Sequence, residues 1–183
     1  MNACLRGALL AVFALCTWPP TANAHSDLEQ KVKAAFLFNF LKFVTWPPSR
    51  EPADREPYVM CVIGDEGFTR TLDLAIHDKT VSGHPVEVRG LDAGGPLRAC
   101  HLAYLAPGHS LPDTESALGG ASGAGVLTVH EADAAVPSGV MRFFLDQQRV
   151  RFEINTTAAH RENLQVSSRL MELAERVQLP APP

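Results

Sequence analysis

Residues Lys31 to Pro48, KVKAAFLFNFLKFVTWPP, constrain this chain more than any other stretch. The segment is strongly apolar and stops at a double proline. Lys31, Lys33 and Lys42 interrupt it, and only Ala34 to Leu41 run without a charge. A membrane-spanning helix needs about 20 apolar residues, so the segment predicts a first helix that packs into a core rather than one that crosses a bilayer. Pro47 and Pro48 cannot continue a helix, and Pro47 pushes Trp46 toward extended geometry.

What precedes that helix reads as an export signal. Arg6 gives a weak positive start, Ala8 to Cys16 an apolar stretch, and Ala22-Asn23-Ala24 a small-residue cleavage site. Residues 1–24 are therefore expected to be removed, leaving a mature chain that begins at His25. A lipoprotein signal acylated at Cys16 competes, but such signals want a small residue before the cysteine, and Leu15 stands there. Residues 25–178 have the size of one domain with its own core, and the tail Leu179-Pro-Ala-Pro-Pro183 is expected to be disordered. The formal charge is -4, and Arg6 is the only charge lost with the leader. No basic stripe or Lys/Arg run is present, so nucleic acid is excluded as a partner.

Cys4 and Cys16 leave with the signal, and the mature chain keeps Cys61 and Cys100. An even count in an exported chain favours a disulfide, which in the chain-entropy model would contribute about 4 kcal/mol. Two buried free thiols are the other reading.

Beyond a polar, Pro-rich connection, Ser49 to Pro57, strands and helices alternate. Tyr58–Ile63 reads as a buried strand. Gly67 to Ile76 has helical spacing at Phe68, Leu72, Ala75 and Ile76. Pro85 to Val88 is a short strand behind the Ser82-Gly83 turn. His101–Leu105 is a strand, Leu111 to Leu118 a helix, Gly119 to Gly125 a glycine-rich turn and Val126–Val129 a strand. Val140 to Asp146 and Val150 to Ile154 are joined so tightly through Gln147-Gln148-Arg149 that they must form an antiparallel hairpin. Thr156 to Val177 is expected to be helical with a break near Asn163–Ser167. Its stripe of Leu170, Leu173, Ala174 and Val177 is expected to pack on the sheet. The pattern predicts a single α/β domain: a mainly parallel sheet with a C-terminal antiparallel hairpin, flanked by helices.

Five segments in order carry a family resemblance: KVKAAFLFNFLKFVTWP (31–47), CVIGDEGF (61–68), CHLAYLAP (100–107), LTVHE (127–131), and FEIN (152–155) running on through TTAAHRENLQVSSRLMELAERV to Val177. Together they resemble the YfiR/HmsC family of exported regulators over the whole mature length. The resemblance implies a periplasmic α/β protein without catalytic activity. Such a protein would bind the periplasmic sensor domain of an inner-membrane diguanylate cyclase and hold it inactive. An OmpA-like outer-membrane lipoprotein would sequester the repressor, raising cyclic-di-GMP and promoting biofilm. The resemblance also implies a disulfide at Cys61 and Cys100. A second cysteine pair that some relatives carry around Val136 to Phe144 is absent, so a two-bond redox switch is not available.

Other constellations favour structural roles. Gly64-Asp65-Glu66-Gly67 follows a strand and opens a helix, but its carboxylates would repel phosphate, so a helix cap is the better reading. His77, His84, His101, His109, His130 and His160 show no metal-ligand spacing, and no cofactor or metal is expected. Cys100 and His101, adjacent on a strand, would point to opposite faces. A hydrolase is disfavoured for want of a nucleophile or metal motif.

The partner-binding candidates are Glu153, Asn155, Arg161, Met141 and Phe143. Glu153 lies between Phe152 and Ile154, so alternation puts it on the face opposite to both. Arg161 and Glu162 would share that surface. Met141 and Phe143 alternate with Arg142 and Phe144, giving apolar area on both faces of that strand. Glu153→Arg is expected to spare folding and weaken repression. The aromatics Phe36, Phe38, Phe40 and Phe43 occupy more than one helix face, leaving one for a homodimer. A small-molecule sensor with a pocket near Gly64 and Ala106–Gly108 is the alternative.

Overall fold

The computed structural model describes residues 22–92, 94–108, 111–131 and 139–178. The leader as far as position 21, His109 and the tail 179–183 lie outside those residues.

Helix α1 (Ala22–Phe43) contains the apolar segment as far as Phe43 and buries one face through Ala34, Leu37, Phe40 and Leu41. It ends before the double proline. The β-branched pair Val44–Thr45 (β1) leaves the helix to pair antiparallel with Gln165–Val166 (β9). Trp46 and Pro47 then lead into a 3-10 turn, Pro48–Arg50.

The remaining elements are β2 (Tyr58–Ile63), α2 (Glu66–Ile76), β3 (Thr80–Val81), β4 (His84–Leu91), β5 (Leu102–Leu105), α3 (Leu111–Gly119), β6 (Leu127–His130), β7 (Met141–Asp146), β8 (Arg149–Asn155), α4 (Thr156–Arg161), α5 (Ser168–Leu173) and β10 (Arg176–Gln178). Eight strands form one sheet in the order β10-β8-β7-β6-β5-β2-β4-β3. Neighbours are parallel except in the hairpins β7–β8 and β3–β4. This is the expected mixed α/β architecture, with a mostly parallel sheet, a C-terminal antiparallel hairpin and flanking helices.

All six residues of β2 are buried, as a central parallel strand covered on both faces requires. Its residues alternate between two cores. Tyr58, Met60 and Val62 join Tyr104, Val129, Met141, Phe143, Phe152 and Ile154 under α1 and α2. Val59, Cys61 and Ile63 join Ala103 and Leu105 under Leu118 and Ala121 on the α3 side. The first core is anchored by aromatic contacts: Phe40 lies 5.5 Å from Phe143 and 4.9 Å from Phe152, centroid to centroid.

The β7–β8 hairpin closes through Gln147 (φ 46°) and Gln148 (φ 62°), both left-handed, in a two-residue turn whose twist suits antiparallel strands. Ser82 (φ 52°) and Gly83 (φ 86°) make the same turn between β3 and β4. The expected strand Pro85 to Val88 is longer than its sequence pattern suggested and has a hairpin partner.

The C-terminal third keeps the expected helix break near Asn163–Ser167 and corrects the expected helix in its last part, where Arg176–Gln178 form a strand. Asn163 turns left-handed (φ 55°) after α4, β9 pairs with β1, and Ser167 caps α5 by accepting from Leu170 N at 3.3 Å. Of the expected stripe, Leu170 is buried, Leu173 is 63 % exposed, Ala174 ends α5, and Val177 lies on edge strand β10, parallel to β8. The helical period ran on from α5 into β10, where pairing with the open edge of β8 overrode it.

Candidate functional site

Alternation along β8 sends Phe152 and Ile154 into the α1-side core and Glu153 to the opposite face, as the pattern required. Glu153 is nevertheless only 4 % exposed. Two cross-strand neighbours explain this. Arg142 stands opposite it in the antiparallel register and donates from Nε to Oε1 at 2.7 Å. Arg176 stands beside it in the parallel register, with Nη1 3.8 Å from Oε2, and Oε2 makes no hydrogen bond. The Arg142 side chain is largely buried and lies over the Phe144 ring at 5.2 Å, whereas Arg176 is exposed. The carboxylate is therefore an internal counter-ion for one guanidinium and a tether for the other.

The same face continues through β6. Thr128 Oγ1 accepts from Val140 N at 3.1 Å. His130, opposite Arg142, is buried, and burial together with the Arg142 charge lowers its pKa to about 4. It is neutral at neutral pH, which keeps a second cation away from Arg142.

Asn155 and Glu153 share this face, two residues apart on β8. Asn155 caps α4: its Oδ1 accepts from Ala158 N at 3.0 Å. Arg161 closes the same short helix, half-exposed, with Nε 3.9 Å from Glu162 Oε1. Glu162 is buried and accepts from Gly123 N at 3.0 Å and Gly125 N at 3.1 Å, clamping the glycine-rich turn. Gly125 has φ 66°, and a Cβ there would meet Arg50 Cγ at 2.9 Å, so only glycine fits. Met141 and Phe143 lie on the other face of the sheet, each 1 % exposed. The structure thus joins Glu153 and Asn155, puts Arg161 at the far end of α4, and separates Met141 and Phe143 from all three.

Cys61 and Cys100 are disulfide-bonded and buried, tying the central strand to the segment leading into β5. His101 follows directly. Its Nδ1 accepts from Val59 N at 2.9 Å and its Nε2 donates to Arg50 O at 2.9 Å. Burial and the Arg50 charge lower its pKa to about 4. Both ring nitrogens are engaged, so His101 is a structural strut.

A further network went unseen in the sequence. Lys33 Nζ lies 2.5 Å from Glu29 Oε1 and 2.6 Å from Glu131 Oε2, and the Tyr104 hydroxyl donates to Glu131 Oε1. Burial opposes the charge on Lys33, but the two carboxylates outweigh it and raise its pKa. Burial and then Glu131 push the Tyr104 hydroxyl up. In the sequence Lys33 only interrupts an apolar helix; the i,i+4 spacing from Glu29 was the one available clue.

Two hollows lie at the carboxyl edge of the parallel strands. One, of about 640 Å³, has Ile63, Leu97, Leu105 and Ala117 on its walls and Arg98 and Asp113 among its polar lining. The other, of about 340 Å³, includes Gly64, Asp65, Glu66 and Asp92. Asp65 caps α2, its Oδ1 accepting from Phe68 N at 2.8 Å. Among the described residues no three His, Cys, Asp or Glu side chains converge as metal ligands, and no helix is long and apolar enough to cross a membrane.

The chain was compared with known proteins. A family model described as YfiR/HmsC-like matches residues 30–175. No curated protein matches significantly. Among solved structures, a conserved domain protein from Vibrio cholerae O1 biovar El Tor is similar at 10 % identity and a TM-score of 0.58, over 81 % of this chain and 60 % of that one. An ABC domain in complex with L-Trp from Streptococcus pneumoniae is similar at 10 % identity and a TM-score of 0.51, over 79 % of this chain and 60 % of that one. The chain therefore spans about three-fifths of the length of either structure, and at such identity the likeness concerns the fold alone.

Proposed function

From the premise that the chain belongs to the YfiR/HmsC-like family, we propose that it is exported and represses an inner-membrane diguanylate cyclase by binding that enzyme's periplasmic sensor domain. As a family these proteins are periplasmic regulators of diguanylate cyclase signalling rather than enzymes. The family match from residue 30 to residue 175 is the observation that carries the reading. The mature form would comprise the domain 25–178 and the tail 179–183, after cleavage behind Ala24. An OmpA-like outer-membrane lipoprotein is the proposed competitor that releases the cyclase. Self-association would use the outer aromatic face of α1, where Phe38 is only partly buried and lies within reach of Lys42 and Lys79.

The proposed contact surface is the face of β8 that carries Glu153 and Asn155, with Arg161 at its margin. Met141 and Phe143 would act from beneath, fixing the strands in place. Glu153 supports this reading as the carboxylate between buried Arg142 on β7 and exposed Arg176 on β10. Its burial also changes the expected behaviour of Glu153→Arg, which would set three guanidiniums together and unfold the region. Arg176→Glu is the cleaner probe. We expect it to leave folding intact and weaken binding to the cyclase domain by about tenfold. Unaltered affinity in calorimetry would remove this face from the interface.

The second reading is a small-molecule sensor. The cavity of about 640 Å³ at the carboxyl edge of β2 and β5 favours it, since open parallel sheets bind ligands at that edge. Ligand-dependent thermal stabilisation, abolished by filling the cavity through Ala117→Trp, would establish it.

A further inference from the structure

The sheet ends unevenly on its β4 side. β4 runs from His84 to Leu91, but β3 covers only its first two residues: Val81 pairs with His84 and Thr80 with Pro85. From Val86 to Leu91 the inner edge of β4 pairs residue for residue with Tyr58–Ile63 of β2, without a bulge. Among the described residues no strand pairs with the outer edge of that stretch.

Backbone groups alternate along a strand between its two edges. Leu91 O accepts from Gly64 N at 3.3 Å, on the β2 side. Leu91, Arg89 and Glu87 therefore aim their backbone groups at β2, and Val86, Val88 and Gly90 aim theirs outward. A regular open edge is a template for another strand unless charge, proline or a bulge blunts it. Here Glu87 and Arg89 bind each other on one face, Arg89 donating from Nε to Oε1 at 2.7 Å and from Nη2 to Oε2 at 2.9 Å. They leave the stretch without net charge. Val86 and Val88 lie half-buried on the other face.

A second copy of the chain is a poor occupant. The antiparallel register that sets Glu87 and Arg89 against their opposites would carry the second copy's Leu91 into the place that Thr80 holds beside Pro85. The next register that keeps outward backbone groups opposed sets Arg89 against Arg89, and like charges directly opposite are unfavourable.

We propose that the outer edge of β4 takes up an extended segment of another protein, antiparallel, with a carboxylate opposite Arg89, an apolar side chain opposite Val88 and a cation opposite Glu87. The outward N–H and C=O groups of Val86, Val88 and Gly90 supply the ladder, and the charge pair sets the register. An exposed ion pair contributes little on its own, so Glu87 and Arg89 exchange partners at small cost. The contact lies at the opposite end of the sheet from β8 and β10 and does not depend on the repressor reading.

The probe is the capped peptide Val-Glu-Val-Arg-Gly, the sequence of residues 86–90 freed of the flanking chain that bars an intact copy. In the antiparallel register its glutamate meets Arg89 and its arginine meets Glu87. Amide NMR of the chain from His25 to Pro183 is expected to show saturable shifts and slower hydrogen exchange at Val88 and Gly90. The charge-reversed peptide Val-Arg-Val-Glu-Gly should bind at least about fivefold more weakly. Methylation of the central valine nitrogen should abolish binding. Glu87→Arg combined with Arg89→Glu keeps the ion pair at two exposed positions and should reverse the order of the two peptides. Arg176→Glu should alter neither affinity.

Equal affinity for the two peptides, an unreversed order in the double variant, or shifts that avoid Val88 and Gly90 would overturn the proposal. So would amide exchange at those two residues that quickens on dilution, the mark of a second copy already seated on the edge.

Discussion

Arg142 and Arg176 flank one carboxylate, yet their expected contributions to stability differ. Arg142 is largely buried with Glu153, so Arg142→Ala would leave a carboxylate buried with its principal hydrogen bond gone. Breaking such a pair typically costs about 3–5 kcal/mol. Arg176 is 71 % exposed at 3.8 Å, and Arg176→Ala should cost under about 1 kcal/mol. Urea unfolding of both variants checks the pair, and equal losses would contradict the geometry. Alternation alone gave the face of Glu153, because a strand's period is two. Its burial was not legible, since it depends on register. Only the pairing of β7 with β8 and of β10 with β8 brings Arg142 and Arg176 to the same carboxylate.

Elements were readable wherever a local signal agreed with the tertiary context. The run Tyr58–Ile63 and the helix cap within Gly64–Gly67, made by Asp65, matched, and the hairpin matched except that its link is two residues, Gln147-Gln148, with Arg149 in β8. The first helix overran in the reading because Val44 and Thr45 prefer to pair with β9, a partner more than a hundred residues away. The C-terminal helix failed for the same reason: β10 exists because the β8 edge is open to it, which no local period announces. Asn155 is both the cap of α4 and a candidate contact, and the two roles separate experimentally. Asn155→Ala should lower stability by about 1 kcal/mol through loss of the Ala158 N–H acceptor. A contact role would add a loss of cyclase binding beyond what Asn155→Ser, which keeps a capping oxygen, produces.

At the scale of the molecule, two devices fix the central sheet. The Cys61–Cys100 bond closes a 39-residue separation, and Cys61→Ser should cost about 2–4 kcal/mol, read as a lower Tm. An unchanged Tm would contradict a stabilising role for the bond. The second device is a pair of neutral histidines. His101 and His130 titrate near 4 when folded against about 6.5 when unfolded. Between those values the unfolded state binds more protons, so their contribution is fully present above pH 6.5 and is lost as pH falls toward 4. Tm should therefore drop by several degrees or more between pH 7 and pH 5, and the drop should shrink in His101→Gln, whose amide retains both an acceptor and a donor. A flat Tm over that interval would contradict the burial of both rings.

The whole assembly of sheet, disulfide and charged β8 face is interpreted as a scaffold for holding a membrane cyclase inactive. The most direct test is calorimetric titration of the chain from His25 to Pro183 into the periplasmic sensor domain of a membrane diguanylate cyclase from the same organism, with cyclic-di-GMP synthesis by the full-length enzyme followed in parallel. Saturable binding and falling synthesis, both diminished by Arg176→Glu, are the expected result. Absence of binding, or binding that leaves synthesis unchanged, would contradict it.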